Sequence, residues 1–461
     1  MAKPTKREMS GWGHYPRLTG FVHQPETIGE MQRILREAGG EPQIAYGLGR
    51  SYGDAALNED AGMIRTDQLT HLLAFDEATG MLTCEAGVTL SDIMDVFLPR
   101  GYFPAVTPGT AYVTVGGAIA NDVHGKNHHR DGSFAECVES FDLLLASGDI
   151  ITCSREQNPE AFWATIGGIG LTGLIVRATL KLMPVESSGI RVTYEKAANL
   201  GEALDKFAAQ DQDYRYSVAW IDCLSEGDSL GRSVLMRGEH AAADEWQPAN
   251  KSPLAMPDKP SLKMPVYAPG FVLNRWSIKA FNNLYYRSYK NETKLVDLAS
   301  FFHPLDAIQD WNKFYGKNGF VQYQAVFPKN HDPEEGVRRV LEKLSHDKRA
   351  SFLAVLKSSG PASGGLLSFP VEGYTLALDL PIKDNSLFPF LRELDAIVLA
   401  HGGRVYLAKD AVLDADTFRA MYPSWQRFMD VKRQLDPEGL FSSSMARRIA
   451  LDDHYDTARW L

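Results

Sequence analysis

Between Thr27 and Gly40 ("TIGEMQRILREAGG") the apolar residues Ile28, Met31, Ile34 and Leu35 fall on one helical face and a glycine pair follows, which predicts a capped amphipathic helix. "EPQIAY" then reads as a short strand. "LLAFDEATGMLTCEAG" is two alternating runs around turn chemistry at Asp76–Gly80. In "TLSDIMDVFLPRG", Thr89 and Asp92 have capping-box spacing ahead of an apolar face. "GIGLTGLIVRATLKLMPVE", from Gly168, predicts a glycine-rich loop feeding an alternating strand, and Pro184 to Gly189 reads as a boundary. Beyond it the pattern changes. Residues 190–403 carry many aromatics, alternating strands such as "FVQYQAVFP" and "GYTLALDLP", and one amphipathic helix near "PEEGVRRVLEKL".

Six prolines between residues 248 and 269 predict an extended surface segment, which is either a lid or an insertion without function. The longest uncharged run, "GYFPAVTPGTAYVTVGGAIAND", contains too much Pro, Gly and Thr for a membrane helix and reads as buried loop and strand. The N-terminus lacks the apolar segment of a signal peptide or anchor.

At 461 residues the chain is too long for one ordinary core, so two domains or one with a large insertion are expected. A net charge of -10 without basic clusters argues against a nucleic-acid surface and leaves small molecules as partners. Cys84, Cys137, Cys153 and Cys223 lack C-x-x-C spacing, which excludes a disulfide framework and a structural zinc from the expectation.

"YGLGRSYGDAAL" almost matches a dinucleotide fingerprint. Gly47 and Gly49 fit, but Tyr52 takes the third glycine position and no helix pattern follows, so a Rossmann NAD site is disfavoured. Consecutive amides in glycine turns can instead form an anion nest, and the competing reading is a plain turn. "PGTAYVTVGGAIANDVHGKNHH" and "GGIGLTG" repeat the use of small residues where a ligand passes close to backbone. His124, His128 and His129 admit a metal, an ordinary buried or surface role, or a place at a cofactor. A lysine such as Lys409 either sits solvated on a surface or, buried, stabilises developing charge.

In order, "GLGRSYGD", "TPGTAYVTVGGAIANDVHGKNHH", "FWATIGGIGLTG", "YLAKD" and "DPEGLFSSSMARR" resemble the vanillyl-alcohol-oxidase type of FAD-linked oxidoreductases over nearly the whole chain. The resemblance implies an α+β fold: a two-subdomain FAD-binding domain from residues 1–187 and 404–461, with a substrate domain at 188–403 built on an antiparallel sheet with flanking helices. It implies that FAD is held by Ala45, Tyr46, Gly47, Leu48, Gly49, Arg50, Ser51, Tyr52, Gly53, Asp54 and Ala55. Further cofactor positions are Gly109, Thr114, Val115, Gly116, Gly117, Asn121, Asp122, Val123, His124, Ile175 and Tyr406. Arg50 stands where several members carry a flavin-linking histidine, and no histidine lies between Ala45 and Ala55, so the expected FAD is non-covalent.

Lys409 and His124 are the implied catalytic residues, and Lys409, Lys357, Gln322, Gln324, Phe302, Ala377 and Trp220 the implied substrate residues, with structural strand glutamines as the alternative for Gln322 and Gln324. The chain departs from the family at two of these: Ala377 replaces a cysteine and Phe302 a tyrosine. The implied reaction is oxidation of the 2′-hydroxyl of a polyprenyl-phosphoryl ribose, with a separate NAD(P)H-dependent short-chain reductase completing conversion to arabinose for the cell envelope. The implied location is cytoplasmic, at the inner face of the membrane, with the proline-rich segment as a cover for the lipid substrate. The rival readings are a soluble sugar, alditol or aldonolactone oxidase and a flavin protein without turnover.

Overall fold

The computed structural model describes residues 3–248, 251–257, 262–269, 274–349, 351 and 353–452. It is an α+β fold with three main sheets. The first has the order Thr5–Ser10, Arg17–His23, Gly62–Arg65, Gln43–Tyr46, with its last three strands parallel to one another. Helix Ile28–Glu37 provides the crossover that parallel strands require, and it buries Met31, Ile34 and Leu35 as the periodicity predicts. The second sheet is antiparallel around the long strand Leu174–Pro184, flanked by Met81–Glu85 and Val138–Leu144. The capping box forms: Thr89 accepts from the Asp92 amide while Asp92 accepts from the Thr89 amide, starting helix Leu90–Phe97.

The third sheet has eight antiparallel strands. Its order is Glu292–Asp297, Gly189–Ala197, Ser233–His240, Tyr216–Ile221, Ala354–Ser359, Gly373–Pro381, Phe320–Pro328, Arg404–Val405. Helix Pro333–His346 packs on it, as its pattern predicts. The described residues of the block also hold four helices that the single expected one omits: Leu200–Gln210, Arg275–Ser288, Leu298–Phe302 and Leu387–Ala400. The last of these is apolar around much of its circumference, burying Leu387, Phe390, Leu391, Leu394 and Val398, so no polar stripe marks its period.

One hydrophobic core runs from Ile44 and Met63 of the first sheet through Val321, Leu356 and Leu378 of the third to Phe428 and Met445 near the C-terminus. The same distant segment clasps the first sheet by backbone: Gln43 donates its amide to the Leu440 carbonyl and accepts the Ser442 amide. The run from Gly101 forms strand Tyr102–Pro104, a loop and the short helix Val115–Ala120. Among the described residues no helix is long and apolar enough to cross a membrane. Residues 249–250, 258–261 and 270–273 of the proline-rich expectation and its flank lie outside the described residues. Of the rest, Leu262–Lys263 pairs in parallel with Ile308–Gln309, and Pro253 accepts the amide of Ser188 through its carbonyl.

Candidate functional site

Where the first two sheets meet the third, a cleft of about 1790 Å³, counted to its open mouth, runs between a glycine-lined wall and a sheet wall. The glycine wall begins where strand Gln43–Tyr46 ends. The Tyr46 hydroxyl donates to the Ser10 carbonyl at 3.0 Å, and Gly49 takes φ +64°, turning the chain away from the sheet. The amides of Leu48, Gly49, Arg50 and Ser51 then donate to no carbonyl among the described residues. Four successive free N–H groups beside a cleft make an anion nest without a helix. The Arg50 guanidinium lies 4.0 Å from the centroid of the Trp12 ring, and its buried Nε has no partner among the described residues.

A second segment approaches as bare backbone. Thr114 caps helix Val115–Ala120, with Oγ1 accepting from the Gly117 amide at 3.2 Å, while Gly116 donates to the Ala86 carbonyl. A Cβ on Gly47 would meet Thr114 Oγ1 at 2.7 Å, so a side chain there would push the two segments apart. Ile169 and Gly170 complete this wall, both at positive φ; for a β-branched residue such as Ile169 that is a strained conformation held by its surroundings. The buried Asn121 Oδ1 on the same wall has no partner among the described residues.

The sheet wall follows from strand alternation. Gln322 pairs across the ladder with Asp379, Gln324 with Ala377, and Ala377 with Val355, so these side chains share one face. Lys357, two residues on from Val355, joins them on it. Tyr406 donates its amide to the Gln324 carbonyl and its hydroxyl to the Asn121 carbonyl, and its ring stacks on Phe369 at 4.8 Å. The following turn delivers Lys409, whose Nζ sits 3.8 Å from the centroid of the Tyr52 ring.

The charges on this wall are strongly perturbed. Burial pulls Lys409 down to about 7, against the pull of Asp379 and with repulsion from Lys357. Burial alone takes Lys357 to about 8. Asp379 is pushed up to about 7 by burial, opposed by hydrogen bonds from Gln322 and by the Lys409 charge. Gln322 donates to Asp379 at 2.6 Å and the Tyr315 hydroxyl donates to it at 3.2 Å.

Burial and the nearby Lys357 hold His124 well below the usual imidazole range. Its Nε2 accepts from Gln324 at 2.7 Å, which places the proton on the unpartnered, buried Nδ1. His128 accepts the Gly360 amide on Nδ1, and His129 donates through Nε2 to the carbonyls of Asp211 and Tyr214. The three histidines are therefore committed to separate partners. Among the described residues no group of three His, Cys, Asp or Glu could hold a metal.

Of the expected cofactor positions, Ala45, Gly47 to Tyr52, Ala55, Gly109, Thr114, Gly116, Gly117, Asn121, Val123, His124, Ile175 and Tyr406 line the cleft. Tyr46, Gly53, Asp54, Val115 and Asp122 stand behind it. A Cβ on Gly53 would lie 1.6 Å from the Asp410 carbonyl oxygen; Asp54 pairs with Arg448; Val115 is core; and Asp122 accepts from Ser363, Ser368 and the Ala135 amide.

Lys409, Lys357, Gln322, Gln324 and Ala377 line the sheet side. Two expected substrate residues do not. Phe302 is buried against Phe103 and Tyr216, and Trp220, one strand beyond Val355, packs on Tyr285 outside the cleft. In both cases aromatic neighbours hold the ring away from the cleft. Sequence reading missed Asp379, although an acid in the middle of the alternating strand "GYTLALDLP" is the signal for it. It also missed Arg448, which joins Asp54 at 2.6 Å to Asp410 at 2.9 Å and so ties the two walls together.

A family model described as an FAD binding domain matches residues 20–154, and one described as D-arabinono-1,4-lactone oxidase matches residues 380–449. The chain is 38% identical to decaprenylphosphoryl-β-D-ribose oxidase of Mycolicibacterium smegmatis, over 97% of this chain and 98% of that one. It is 23% identical to mouse L-gulonolactone oxidase over 93% of this chain and 94% of the relative. The fold and these matches define an FAD-dependent oxidoreductase acting on CH–OH groups. The chain belongs to the decaprenylphosphoryl-β-D-ribose oxidase family.

Proposed function

We propose that this protein oxidises the 2′-hydroxyl of a polyprenyl-phosphoryl-β-D-ribose to the 2′-keto sugar, using non-covalent FAD. The observation that carries the reading is the pairing of four backbone amides without a carbonyl partner among the described residues on one wall with two half-buried lysines on the other, in a chain similar over 97% of its length to a lipid-linked ribose oxidase. Residues 1–187 and 404–461 form the FAD-binding part in this reading, and 188–403 the substrate part; 453–461 lie outside the described residues.

The residues fit the cofactor: the amides of Leu48 to Ser51 hold the pyrophosphate, and Asn121 Oδ1 and His124 Nδ1 offer an acceptor and a donor to the ring system. Bound FAD supplies the hydride acceptor. Lys409, neutral above about pH 7, takes the proton of the sugar hydroxyl at Nζ, and Asp379 stabilises the ammonium that results. Gln322 and Gln324 orient the sugar hydroxyls, Lys357 receives an anionic oxygen of the phosphoryl group, and Ala377 leaves room beside them. The keto product then requires a separate NAD(P)H-dependent reductase to yield the arabinose epimer. The place of action is the inner face of the cytoplasmic membrane, where such lipids are presented.

The test begins with the absorption spectrum of the desalted protein before and after acid precipitation. Flavin bands that move into the supernatant are expected; colour kept in the pellet would refute non-covalent attachment. Anaerobic bleaching by a short-chain prenyl-phosphoryl ribose is expected next, and bleaching by free aldonolactones or alditols instead would assign the chain to the soluble oxidases.

A further inference from the structure

Helix Arg275–Ser288 carries large apolar side chains on its outward side as well as on its inward one. Its inward side is anchored by polar and aromatic contacts: Asn282 donates to Asp222 at 2.6 Å, Tyr285 packs on Trp220 with ring centroids 4.7 Å apart, and Ile278 is buried. Its outward side presents Trp276 at 76% exposure and Leu284 at 71%, with Ala280 between them at helical spacing. Single exposed apolar side chains are ordinary, but a large aromatic and a leucine on one helical stripe form a patch that water solvates poorly.

The charges that the helix segment itself carries have one sign. From Arg275 to Lys290 the chain carries four basic residues, Arg275, Lys279, Arg287 and Lys290, and no acidic one, in a protein whose net charge is -10. Arg275 reaches Glu226 at 3.2 Å, whereas Lys279, Arg287 and Lys290 make no salt bridge to a carboxylate among the described residues. An exposed Trp/Leu stripe ringed by cations is the pattern of a helix that lies in the plane of an anionic membrane surface.

The helix is also coupled to the cleft. Trp220, beneath Tyr285, pairs across the ladder with Val355, and Val355 lines the cleft wall. A second exposed apolar strip, Leu262 at 67% and Val266 at 65%, lies on the segment that hydrogen-bonds to Gln309 and Lys313, on either side of the cleft residue Trp311.

We infer that the outward face of helix Arg275–Ser288 docks this enzyme on an anionic phospholipid bilayer, with Trp276 and Leu284 entering the headgroup boundary and Lys279, Arg287 and Lys290 meeting lipid phosphates. The inference deepens the proposed reading by naming the surface from which a lipid-linked substrate is taken. The flavin-loaded protein is sedimented with vesicles of phosphatidylglycerol and phosphatidylcholine in equal parts, and with phosphatidylcholine alone. Binding to the anionic vesicles that weakens with salt is expected. A Trp276→Ser/Leu284→Ser variant is expected to lose about tenfold in partitioning, and Lys279→Gln/Arg287→Gln/Lys290→Gln to lose the preference for phosphatidylglycerol.

Neither variant touches the cleft, so both keep the turnover of a detergent-dispersed short-chain substrate and the melting temperature of the parent. Equal sedimentation of all three proteins, or none by the parent, overturns the inference. So does a concentration-dependent dimer that the Trp276→Ser/Leu284→Ser variant loses, which would give the face to a second copy of the chain. Turnover of the short-chain substrate without vesicle binding sinks the docking surface alone; vesicle binding without turnover sinks the proposed reaction alone.

Discussion

The two walls of the cleft solve different problems with different parts of the residue alphabet. The glycine wall presents main chain to the cleft: amides at Leu48 to Ser51 have no carbonyl partner among the described residues, and small residues at Gly47 and Gly116 let segments touch at van der Waals distance. The sheet wall lines the cleft with side chains: Gln322, Gln324, Lys357 and Ala377 at alternating strand positions, and Lys409 on a turn. Backbone groups carry no titratable charge, so the first wall is insensitive to pH, whereas burial has brought Lys409 and Asp379 to about 7 on the second. Cofactor retention and turnover should therefore separate under mutation and under pH.

The largest effect on stability is expected where the walls are tied together. Arg448→Met leaves Asp54 and Asp410 as buried like charges and should cost about 3 kcal/mol in denaturant unfolding. An unchanged midpoint would mean the walls are held by the shared core instead. Next comes Lys409→Ala, expected to lower kcat by about 10³ while the flavin spectrum and stoichiometry stay as in the parent. Loss of flavin from this variant would erase the distinction between the walls. Gly47→Val, the mirror experiment, should release flavin on desalting, because its Cβ meets Thr114 Oγ1 at 2.7 Å.

The pH dependence sharpens the contrast further. Lys409, facing Asp379, Lys357 and the Tyr52 ring, is protonated below about 7, so kcat should rise with pH through that value and level off above it. The stability of the flavin-free protein should show the acid's opposite signature. Asp379 holds its proton in the folded state from its ordinary 3.8 up to about 7, so its contribution favours folding at low pH and is lost as pH rises across that window. Asp379→Asn should remove that slope in a melting-temperature series. The smallest effect is reserved for Ala377→Cys, which should change turnover by no more than about threefold. It should also make the cleft reactive to a thiol reagent, whereas the four native cysteines are all buried.

The glycine wall was legible in the sequence because backbone recognition demands particular residues: Gly47, Gly49 and the Thr114–Gly117 cap combine small size with a hydroxyl cap in a way that an ordinary turn does not require. The strands Phe320–Pro328 and Gly373–Pro381 were equally plain from alternation. What alternation cannot supply is which strands become neighbours. The opposition of Gln322 to Asp379 is a fact of register, formed across 57 residues, and Asp379 went unread for that reason. Phe302 and Trp220 failed in the other direction. A family position transfers the residue's place on the chain, while its rotamer answers to its own neighbours, here Phe103, Tyr216 and Tyr285. Helix Arg275–Ser288 escaped because apolar residues occur on both its sides, Ile278 inward and Trp276 and Leu284 outward, so no single apolar face marks its period.

The glycine loop is flanked by clasps from the far end of the chain. Beside the exchange of Gln43 with Leu440 and Ser442, Asn58 donates to the Ser442 carbonyl and the Ser444 amide donates to Leu57. During synthesis the loop leaves the ribosome about 400 residues ahead of the segment that clasps it. Cofactor capture should therefore wait for that segment: a fragment truncated before residue 440 is expected to hold no flavin.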